Sequence, residues 1–299
     1  MKFGVLGCGS IGDRHFKNLK VLGHEVDFYD PISHHATHRI DMINWADAVV
    51  VASPSTEHAK DLMSALDAGK HVFVEKPFGY DCPPLLEGFL KGAQMRHGNS
   101  KIVAAGFNLR FHECVIKAKN HIDRIGPIIN AKFSVLQKSE KPEYLRDGVI
   151  RNWACHEMDL ACHLLGGMEV VDCHAEHNAN GQDQTWCIVE MKHPDIPNPI
   201  RVNADYTTEP QQRFFWIEGA GGTIYVNLLD RTMRIEWSHG GSPYEFKGIG
   251  SFDRDYQMEM LHFAGSVKSG RHMEPLASGF QGVENLRHIM KARELARVS

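Results

Sequence analysis

The sequence predicts an α/β protein in which an N-terminal doubly wound Rossmann domain precedes an α+β domain with a large open, mainly antiparallel sheet. Three observations lead to this prediction. The first hundred residues alternate short apolar runs with amphipathic stretches, which is typical of a parallel sheet flanked by helices. A glycine-rich turn follows the first apolar run, and longer alternating runs beyond residue 107 favour antiparallel strands. We therefore expect a Rossmann domain over 1–107 and an α+β domain over 108–299, with final helices that can pack back toward the first domain.

The individual elements follow from apolar periodicity. In the first domain the predicted strands are 3–6, 25–29, 48–51, 71–74 and 102–105, with helical patterns between them. In the second domain a helix over 113–124 precedes strands at 128–137, 170–177, 185–192, 200–206, 214–218, 222–226 and 232–237. A helix that begins close to Asn152 and ends at Gly166 interrupts these strands, and two helical stretches close the chain.

The composition favours a folded protein that binds a small molecule. Of the 299 residues, 42% are hydrophobic and 23% are charged, and the formal net charge is -4. Because this balance predicts no broad basic surface, we expect neither nucleic-acid binding nor membrane binding. The seven cysteines form no C-x-x-C pair and the first residues do not resemble a signal peptide, so we expect a cytoplasmic protein with reduced thiols.

The turn after the first strand predicts a dinucleotide-binding site. Gly7, Gly9 and Gly12 form G-x-G-x-x-G at the head of a helical pattern. The first glycine permits a tight turn, the second admits a pyrophosphate close to the backbone, and the third lets helix and strand pack closely. Ser10 and Ile11 lie at the same helix N-terminus, whose amide groups attract phosphate. We expect all five residues to contact the cofactor.

Asp30 favours NAD over NADP. It follows the second strand, where a carboxylate can accept hydrogen bonds from ribose hydroxyls and repel a 2′-phosphate. The alternative is a simple turn role before Pro31. Arg39, a few residues further on, leaves NADP open.

Two further strands of the first domain end in polar turns. Strand 48–51 leads into Ser53, Pro54 and His58, and strand 71–74 leads into Glu75 and Lys76. Doubly wound folds bind ligands at the carboxyl ends of their parallel strands. We therefore predict that these five residues border the cofactor.

These turns carry a specific resemblance. The strand followed by GCGSIG, then VVASPSxxH, GKHVFVEKP and HExDLAxHLLG, together resemble the glucose-fructose oxidoreductase and inositol dehydrogenase family, Gfo/Idh/MocA, over nearly the whole chain. The resemblance implies a Rossmann domain followed by an α+β domain whose open sheet often joins subunits, hence a homodimer or homotetramer. It also implies that Lys76 and His156 are catalytic and meet over the nicotinamide.

The chemistry gives these residue types a reason. Oxidation of a secondary alcohol needs a base for the hydroxyl proton while a hydride leaves the same carbon. Lys76 suits that role, because a neighbouring cationic nicotinamide disfavours the ammonium form of a lysine. A histidine bonded to the same oxygen can orient it, share its proton or polarise a carbonyl in the reverse direction, and we place His156 there.

One position departs from the family. An aspartate often stands four residues before the helix histidine, and here that residue is Asn152, which can orient a hydroxyl but cannot accept its proton. Asp159, one turn beyond His156, can hold that ring, bind substrate or serve only the helix. Arg146 and Arg151 are candidates for holding a substrate carboxylate or phosphate, with solvated charges as the alternative.

No metal site is predicted. His156, Asp159 and His163 share a helical face, but their spacing is not H-E-x-x-H. The histidines at 34, 35 and 38 favour a solvated loop over a metal site.

The predicted function is an NAD(P)-dependent dehydrogenase or reductase that acts on CH-OH groups. Its substrate is the secondary alcohol or ketone of a sugar, an inositol or a nucleotide-linked sugar. One alternative is a redox-neutral enzyme in which tightly bound NAD oxidises the substrate transiently. The other, motivated by Asn152, is a non-catalytic dinucleotide sensor or partner-binding protein.

Overall fold

A computed structural model describes residues 1–32, 38–98, 101–139, 147–177 and 184–296. Its contacts divide the chain into two units, one of Met1–Phe111 with Phe252–Arg287 and one of His112–Ser251 with His288–Ser299. The predicted boundary at residue 107 therefore differs from this division by four residues. The chain also returns to the first unit near its end, over Phe252–Arg287. The sequence assigns 108–299 to the second domain and allows its final helices to pack back toward the first.

The first unit contains a Rossmann-type sheet, as predicted. Its strands run in the order β14-β5-β4-β3-β1-β2, and all pairs are parallel except β14 with β5. The strands are β1 (Lys2–Leu6), β2 (Glu25–Tyr29), β3 (Ala48–Val51), β4 (His71–Val74), β5 (Val103–Ala105) and β14 (Ala277–Ser278). The helices are α1 (Ser10–Val21), α2 (Arg39–Trp45), α3 (His58–Asp67), α4 (Pro83–His97), α7 (Phe252–Ser269) and α8 (Gly279–Ala296), the last of which continues into the second unit.

The core of the first unit explains why α7 belongs to it. Every residue of β3 is buried, as expected for a central parallel strand covered on both faces. On the two strands that flank β3, Phe3 of β1 and Phe73 of β4 contact Phe263 of α7. Their ring centroids lie 6.1 and 5.6 Å from that of Phe263. Apolar periodicity predicts that a helix has a buried face but not which strands it covers, so the sequence allowed this return without identifying the strands involved.

The second unit contains an eight-stranded sheet, in the order β13-β12-β11-β10-β6-β9-β8-β7. All its pairs are antiparallel except β6 with β9, which confirms the predicted mainly antiparallel sheet. The strands are β6 (Ile128–Leu136), β7 (Glu169–His177), β8 (Gln184–Lys192), β9 (Ile200–Asp205), β10 (Gln212–Gly219), β11 (Gly222–Asn227), β12 (Thr232–Trp237) and β13 (Tyr244–Lys247). The helices are α5 (Glu113–Lys119) and α6 (Cys155–Leu165).

Two local predictions for the second unit differ from the structure. The single helix expected over 113–124 is the α-helix α5 followed by a separate 3₁₀ turn at Ile122–Ile125. Strand β13 was not predicted, because its four residues alternate in exposure only weakly and follow a glycine-rich turn. Within the described ranges, no helix combines the length and the apolarity needed to cross a membrane.

The open face of the second sheet carries a different apolar set from the one expected. From the sequence alone, we expect the apolar residues Phe214, Trp216 and Ile224 on the exposed face of this sheet. In the structure Trp216 pairs with Tyr225, whereas Ile224 pairs with Ile217 and is fully buried. Directly paired residues project from the same face of a sheet, so Ile224 lies on the covered face. The partly exposed apolar residues of the open face include Phe214, Trp216 and Tyr225.

Candidate active site

The glycine turn joins β1 to α1 and leaves one side of its backbone open. Gly7 has φ +89°, and a Cβ added there would lie 2.6 Å from the carbonyl oxygen of Ala52. A Cβ added to Gly12 would lie 1.9 Å from the carbonyl oxygen of Gly7. At Gly9, the residue that precedes α1, an added Cβ would meet nothing within 4 Å. Packing therefore requires the first and third glycines, and the second leaves the space that a pyrophosphate needs.

Asp30 is tied to the same turn. Its Oδ2 accepts a hydrogen bond from the Cys8 amide at 2.7 Å, and its Oδ1 accepts one from the Ile32 amide at 2.9 Å. The second bond is the local turn role weighed in the sequence analysis, while the first fixes the carboxylate beside the glycine turn. Each carboxylate oxygen can accept more than one hydrogen bond. Both roles are therefore compatible with binding of a ribose hydroxyl.

Arg39, which had left NADP open, is engaged elsewhere in the first unit. Its guanidinium pairs with Oδ1 of the buried Asp61 at 2.5 Å. The other oxygen of Asp61 accepts a hydrogen bond from Ser53 Oγ at 2.7 Å, so the same carboxylate also holds the turn after β3. Pro54, next to Ser53, is exposed. Because Arg39 neutralises a buried carboxylate, it is a poor ligand for a 2′-phosphate.

His58 connects the turns that follow β3 and β4. Its ring is buried, with Nδ1 2.7 Å from the Pro77 carbonyl oxygen and Nε2 2.8 Å from the Ser53 carbonyl oxygen. Burial lowers the pKa of His58, and the two carbonyl contacts only partly offset that effect. Both ring nitrogens thus face backbone oxygens. The structure places His58 as a clamp between the two turns rather than as a side chain directed at a cofactor.

Glu75 and Lys76 form the turn after β4. The Glu75 carboxylate is buried, and its Oε1 lies 2.7 Å from Nε2 of His15 on α1. Its Oε2 accepts a hydrogen bond from the backbone amide of Lys76 at 3.1 Å. Burial by itself would raise the pKa of Glu75, but the bond and charge of His15 and the charge of Lys76 hold it below its usual value. Glu75 therefore holds the Lys76 backbone, while the Lys76 side chain is partly exposed.

In the second unit, a π-helical turn at Ile150–Ala154 leads directly into α6. Asn152 lies in this turn and is buried, and its Nδ2 donates a hydrogen bond to the Gly148 carbonyl at 3.3 Å. The Tyr206 hydroxyl donates to the same carbonyl at 3.2 Å. Arg151 is also buried, which disagrees with the alternative that it is a solvated charge. Such π turns are frequent at functional sites, and no sequence feature predicted this one.

Helix α6 exposes His156 while it buries the neighbours of that residue. His156 is partly exposed, whereas Cys155 and Glu157 are buried. Glu157 accepts a hydrogen bond from Nε of Arg213 on β10 at 2.8 Å, and this ion pair fixes the helix on the sheet. Asp159 is buried on the same helix, and His163 lies against Lys119, with Nζ 3.3 Å from Nδ1.

The structure thus brings the predicted residues together in two sets. The cofactor set lies in the first unit at the ends of β1, β2, β3 and β4, and the substrate set lies in the second unit on α6 and the turn before it. Lys76 and His156 belong to different units, so their meeting over a nicotinamide stays a prediction. Arg146 and the histidines at 34 and 35 lie outside the described residues. His15 and Arg213 were missed; a histidine among the buried positions 12, 15 and 19 of α1 was the available sign.

Together, the glycine turn, the carboxylate beside it and the strand-end turns define a dinucleotide-binding α/β protein. Comparison with known proteins agrees with this class. Residues 26–85 match the GFO_IDH_MocA model, an oxidoreductase family with an NAD-binding Rossmann fold. The matches confirm the resemblance to the Gfo/Idh/MocA family, and they support an NAD-dependent dehydrogenase that acts on CH-OH groups.

Individual relatives extend the likeness. The chain is similar to scyllo-inositol 2-dehydrogenase (NAD(+)) of Bacillus subtilis, with 26% identity over 94% of this chain and 90% of that protein. It is 28% identical to an inositol 2-dehydrogenase/D-chiro-inositol 3-dehydrogenase of Halalkalibacterium halodurans, but that alignment spans only 55% of this chain and 53% of the relative. Its fold is similar to the solved structure of UDP-N-acetylglucosamine 3-dehydrogenase GnnA from Acidithiobacillus ferrooxidans. The TM-score is 0.85, with 19% identity over 100% of this chain and 98% of that chain.

Proposed function

We propose that the protein is an NAD-dependent dehydrogenase that oxidises one secondary hydroxyl of a cyclic polyol to a ketone, with an inositol as the first substrate to test. The observation that carries the proposal is the Glu75-Lys76 turn, where a buried carboxylate fixes the backbone of a lysine at the carboxyl end of a parallel strand. The similarity to an inositol dehydrogenase over 94% of the chain supports the substrate class.

The residues of the first unit fit NAD. The open space at Gly9 suits a pyrophosphate, and the N-terminus of α1 offers amide donors to it. Asp30 suits the ribose hydroxyls, and the engagement of Arg39 with Asp61 leaves no matched cation for a 2′-phosphate at that residue. When bound, NAD supplies the acceptor for the hydride that leaves the substrate carbon.

The chain's own residues supply the proton chemistry. In this proposal Lys76 Nζ accepts the proton of the reacting hydroxyl, which requires the neutral amine at that moment. His156, a partly exposed residue of α6, binds the same oxygen and orients it. Asn152 provides an amide where many relatives have an acid, so it can position a hydroxyl but cannot share the proton. Asp159 and Arg151, both buried and close to these residues in sequence, complete the proposed substrate-binding set.

The proposal includes assembly and compartment. The open face of the second sheet presents Phe214, Trp216 and Tyr225 among polar residues, and we propose that a second copy of the chain covers it. A dimer or tetramer by light scattering at micromolar concentration is the expected result, and a monomer would contradict it. A cytoplasmic location, predicted from the unpaired cysteine pattern of the sequence, belongs to the same proposal.

The deciding experiment is a substrate panel followed by NADH absorbance. It contains myo-inositol, scyllo-inositol, free hexoses and UDP-N-acetylglucosamine, the last because the fold is similar to GnnA over the whole chain. The expected result is steady NADH release with an inositol and little signal with NADP. Substrate conversion without NADH release would favour the redox-neutral alternative. NAD binding without turnover of any compound would favour the non-catalytic sensor.

A further inference from the structure

Three ionisable side chains meet inside the first unit, away from the surface that the glycine turn leaves open. They are His15 on α1, Glu75 after β4 and Glu259 on α7, and all three are buried. One ligand-type atom from each lies within 4.8 Å of the other two. Burial of several ionisable groups is costly unless they satisfy one another. Their presence in the core therefore calls for a role that apolar residues cannot fill.

The cluster is connected to Lys76 by two hydrogen bonds in series. His15 Nε2 lies 2.7 Å from Glu75 Oε1, and Glu75 Oε2 accepts from the Lys76 amide at 3.1 Å. Because the pKa of Glu75 is held below its usual value, this carboxyl is ionised and accepts both bonds. The Glu75 amide itself continues the sheet by donating to the Val51 carbonyl at 2.9 Å. The carboxylate is thus fixed at both oxygens while its backbone is fixed by β3.

The surroundings of the carboxylate leave it little freedom. His15 packs edge-on against Phe73 and Tyr256, with ring centroids 5.3 and 5.9 Å away. A Cβ added to Gly106 would lie 3.1 Å from Glu75 Oε2 and 3.0 Å from the Phe73 ring. The absence of a side chain at Gly106 therefore makes the space into which the carboxylate turns.

The geometry favours hydrogen bonding over a metal ion. Two nitrogen or oxygen ligands at the usual 2.0–2.2 Å from a tetrahedral zinc lie roughly 3.3–3.5 Å apart. The 2.7 Å separation of His15 Nε2 and Glu75 Oε1 is shorter than that and matches a charge-assisted hydrogen bond.

We propose that His15 is a positioning residue for Lys76, acting through Glu75: it holds the carboxylate that holds the Lys76 amide, and so fixes the direction of the lysine side chain. The helix that begins at the cofactor-binding turn is thereby joined to the turn that carries the proton acceptor. This inference rests on the proposed role of Lys76. It adds that a buried residue outside the recognised motifs sets the geometry of that lysine.

The test compares His15→Leu with His15→Gln, whose amide can replace the Nε2 donor. With the substrate found in the panel, His15→Leu is expected to lower kcat by about 10²-fold, the scale of an error of about 1 Å in placement. His15→Gln is expected to recover at least about tenfold of that loss, and the Kd for NAD is expected to stay within about threefold. His262→Leu is the matched control, because His262 is a helical histidine of the same unit whose ring bonds Met258 of its own helix and packs against Phe111, not against Glu75.

A second readout needs no substrate. Reductive methylation, followed by peptide mass spectrometry, compares the reaction rate of Lys76 with that of the exposed Lys192 in the full chain. His15→Leu is expected to raise the Lys76 rate by at least about threefold because the backbone is no longer held, and His15→Gln is expected to restore it. Failure of the substrate panel would count against the proposed function but would leave this measurement decisive.

Two outcomes overturn the inference. One is a His15→Leu protein that is less stable but keeps the wild-type kcat and Lys76 labelling rate, since His15 is then only a packing residue. The other is a stoichiometric metal in the purified protein that His15→Leu removes. If His15→Leu does not fold, Gly106→Ala is the second variant, because its methyl group would press on the Glu75 carboxylate and the Phe73 ring while His15 stays in place. Like His15→Leu, this variant is expected to lower kcat and to raise the labelling rate of Lys76. Unchanged values of both would reject the inference.

Discussion

Each unit seats a proposed catalytic residue next to a buried glutamate, but the two glutamates hold different things. In the first unit Glu75 precedes Lys76, and its carboxylate binds the Lys76 amide as well as His15. In the second unit Glu157 follows His156, and its carboxylate pairs with Arg213 of a neighbouring strand. The first contact fixes the backbone of one residue, whereas the second attaches a whole helix to a sheet. Disturbing the first should therefore affect chemistry, and disturbing the second should affect stability first.

The largest effect is expected for the lysine itself. Lys76→Ala should lower kcat/KM by the roughly 10²–10⁴-fold typical of acid-base groups, because the proton acceptor is lost. The Kd for NAD should stay nearly unchanged, since the glycine turn and Asp30 supply the predicted cofactor contacts. Stopped-flow NADH formation and fluorescence titration with NAD measure the two quantities. His156→Ala should impair the same step and alter its pH profile, and a Lys76→Ala enzyme with normal turnover would contradict the assignment.

The ion pair of the second unit provides the contrast. Arg213→Met should lower the free energy of unfolding by about 3 kcal/mol, because it leaves the buried Glu157 carboxylate without that partner. Urea unfolding measures the loss. Adding Glu157→Gln to Arg213→Met should recover part of it, since an amide costs less to bury than a carboxylate. The comparison between the units fails if Arg213→Met is as stable as the wild type and loses as much kcat as Lys76→Ala.

Cofactor choice gives a smaller effect. Asp30→Ala should narrow the preference for NAD over NADP by about tenfold, because it removes a ribose acceptor and a charge that repels the 2′-phosphate. The alanine also removes the bonds to the Cys8 and Ile32 amides. Asp30→Asn is therefore the matched variant, since it keeps an acceptor oxygen and removes the charge. Equal affinities of the unmodified protein for NAD and NADP would reject the prediction.

The clamp at His58 should make stability depend on pH. Burial lowers the pKa of His58 in the folded state. Below the pKa near 6.5 that a histidine has in the unfolded chain, the unfolded chain therefore binds more protons than the folded protein does. The stability that neutral His58 contributes is fully present above about pH 6.5. It is lost as the pH falls toward the pKa of His58 in the folded state, by at most about 1.4 kcal/mol per pH unit. His58→Gln, which still offers an amide donor but does not titrate, should flatten this part of the profile. Urea unfolding between pH 5 and 8 tests it, and identical slopes for both proteins would argue against it.

The two units also differ in what their sequence reveals. The cofactor turns follow strands whose apolar runs are unambiguous, so Gly7, Asp30 and Lys76 were placed at strand ends from the sequence. The contacts that hold the turns around them were not found, because His15 and Arg39 reach the carboxylates of Glu75 and Asp61 across the fold rather than along the chain. In the second unit the helix was predicted but its first turn was not. A π turn differs from an α turn by one residue of registry, and no residue type specifies it.

The smallest expected effect concerns that turn. Asn152→Ala removes the hydrogen bond from Nδ2 to the Gly148 carbonyl, but the Tyr206 hydroxyl still donates to the same oxygen. A net loss of about 1 kcal/mol in stability follows from one neutral hydrogen bond.

In catalysis an amide only positions the hydroxyl, so Asn152→Ala should lower kcat by less than about tenfold, well below the effect of Lys76→Ala. Asn152→Asp is the informative companion, because it introduces the acid that the resemblance to the Gfo/Idh/MocA family implies at this position. If the π turn directs this side chain at the substrate, Asn152→Asp should change the pH profile of kcat while Asn152→Ala does not, and identical profiles for both would place Asn152 in the fold alone.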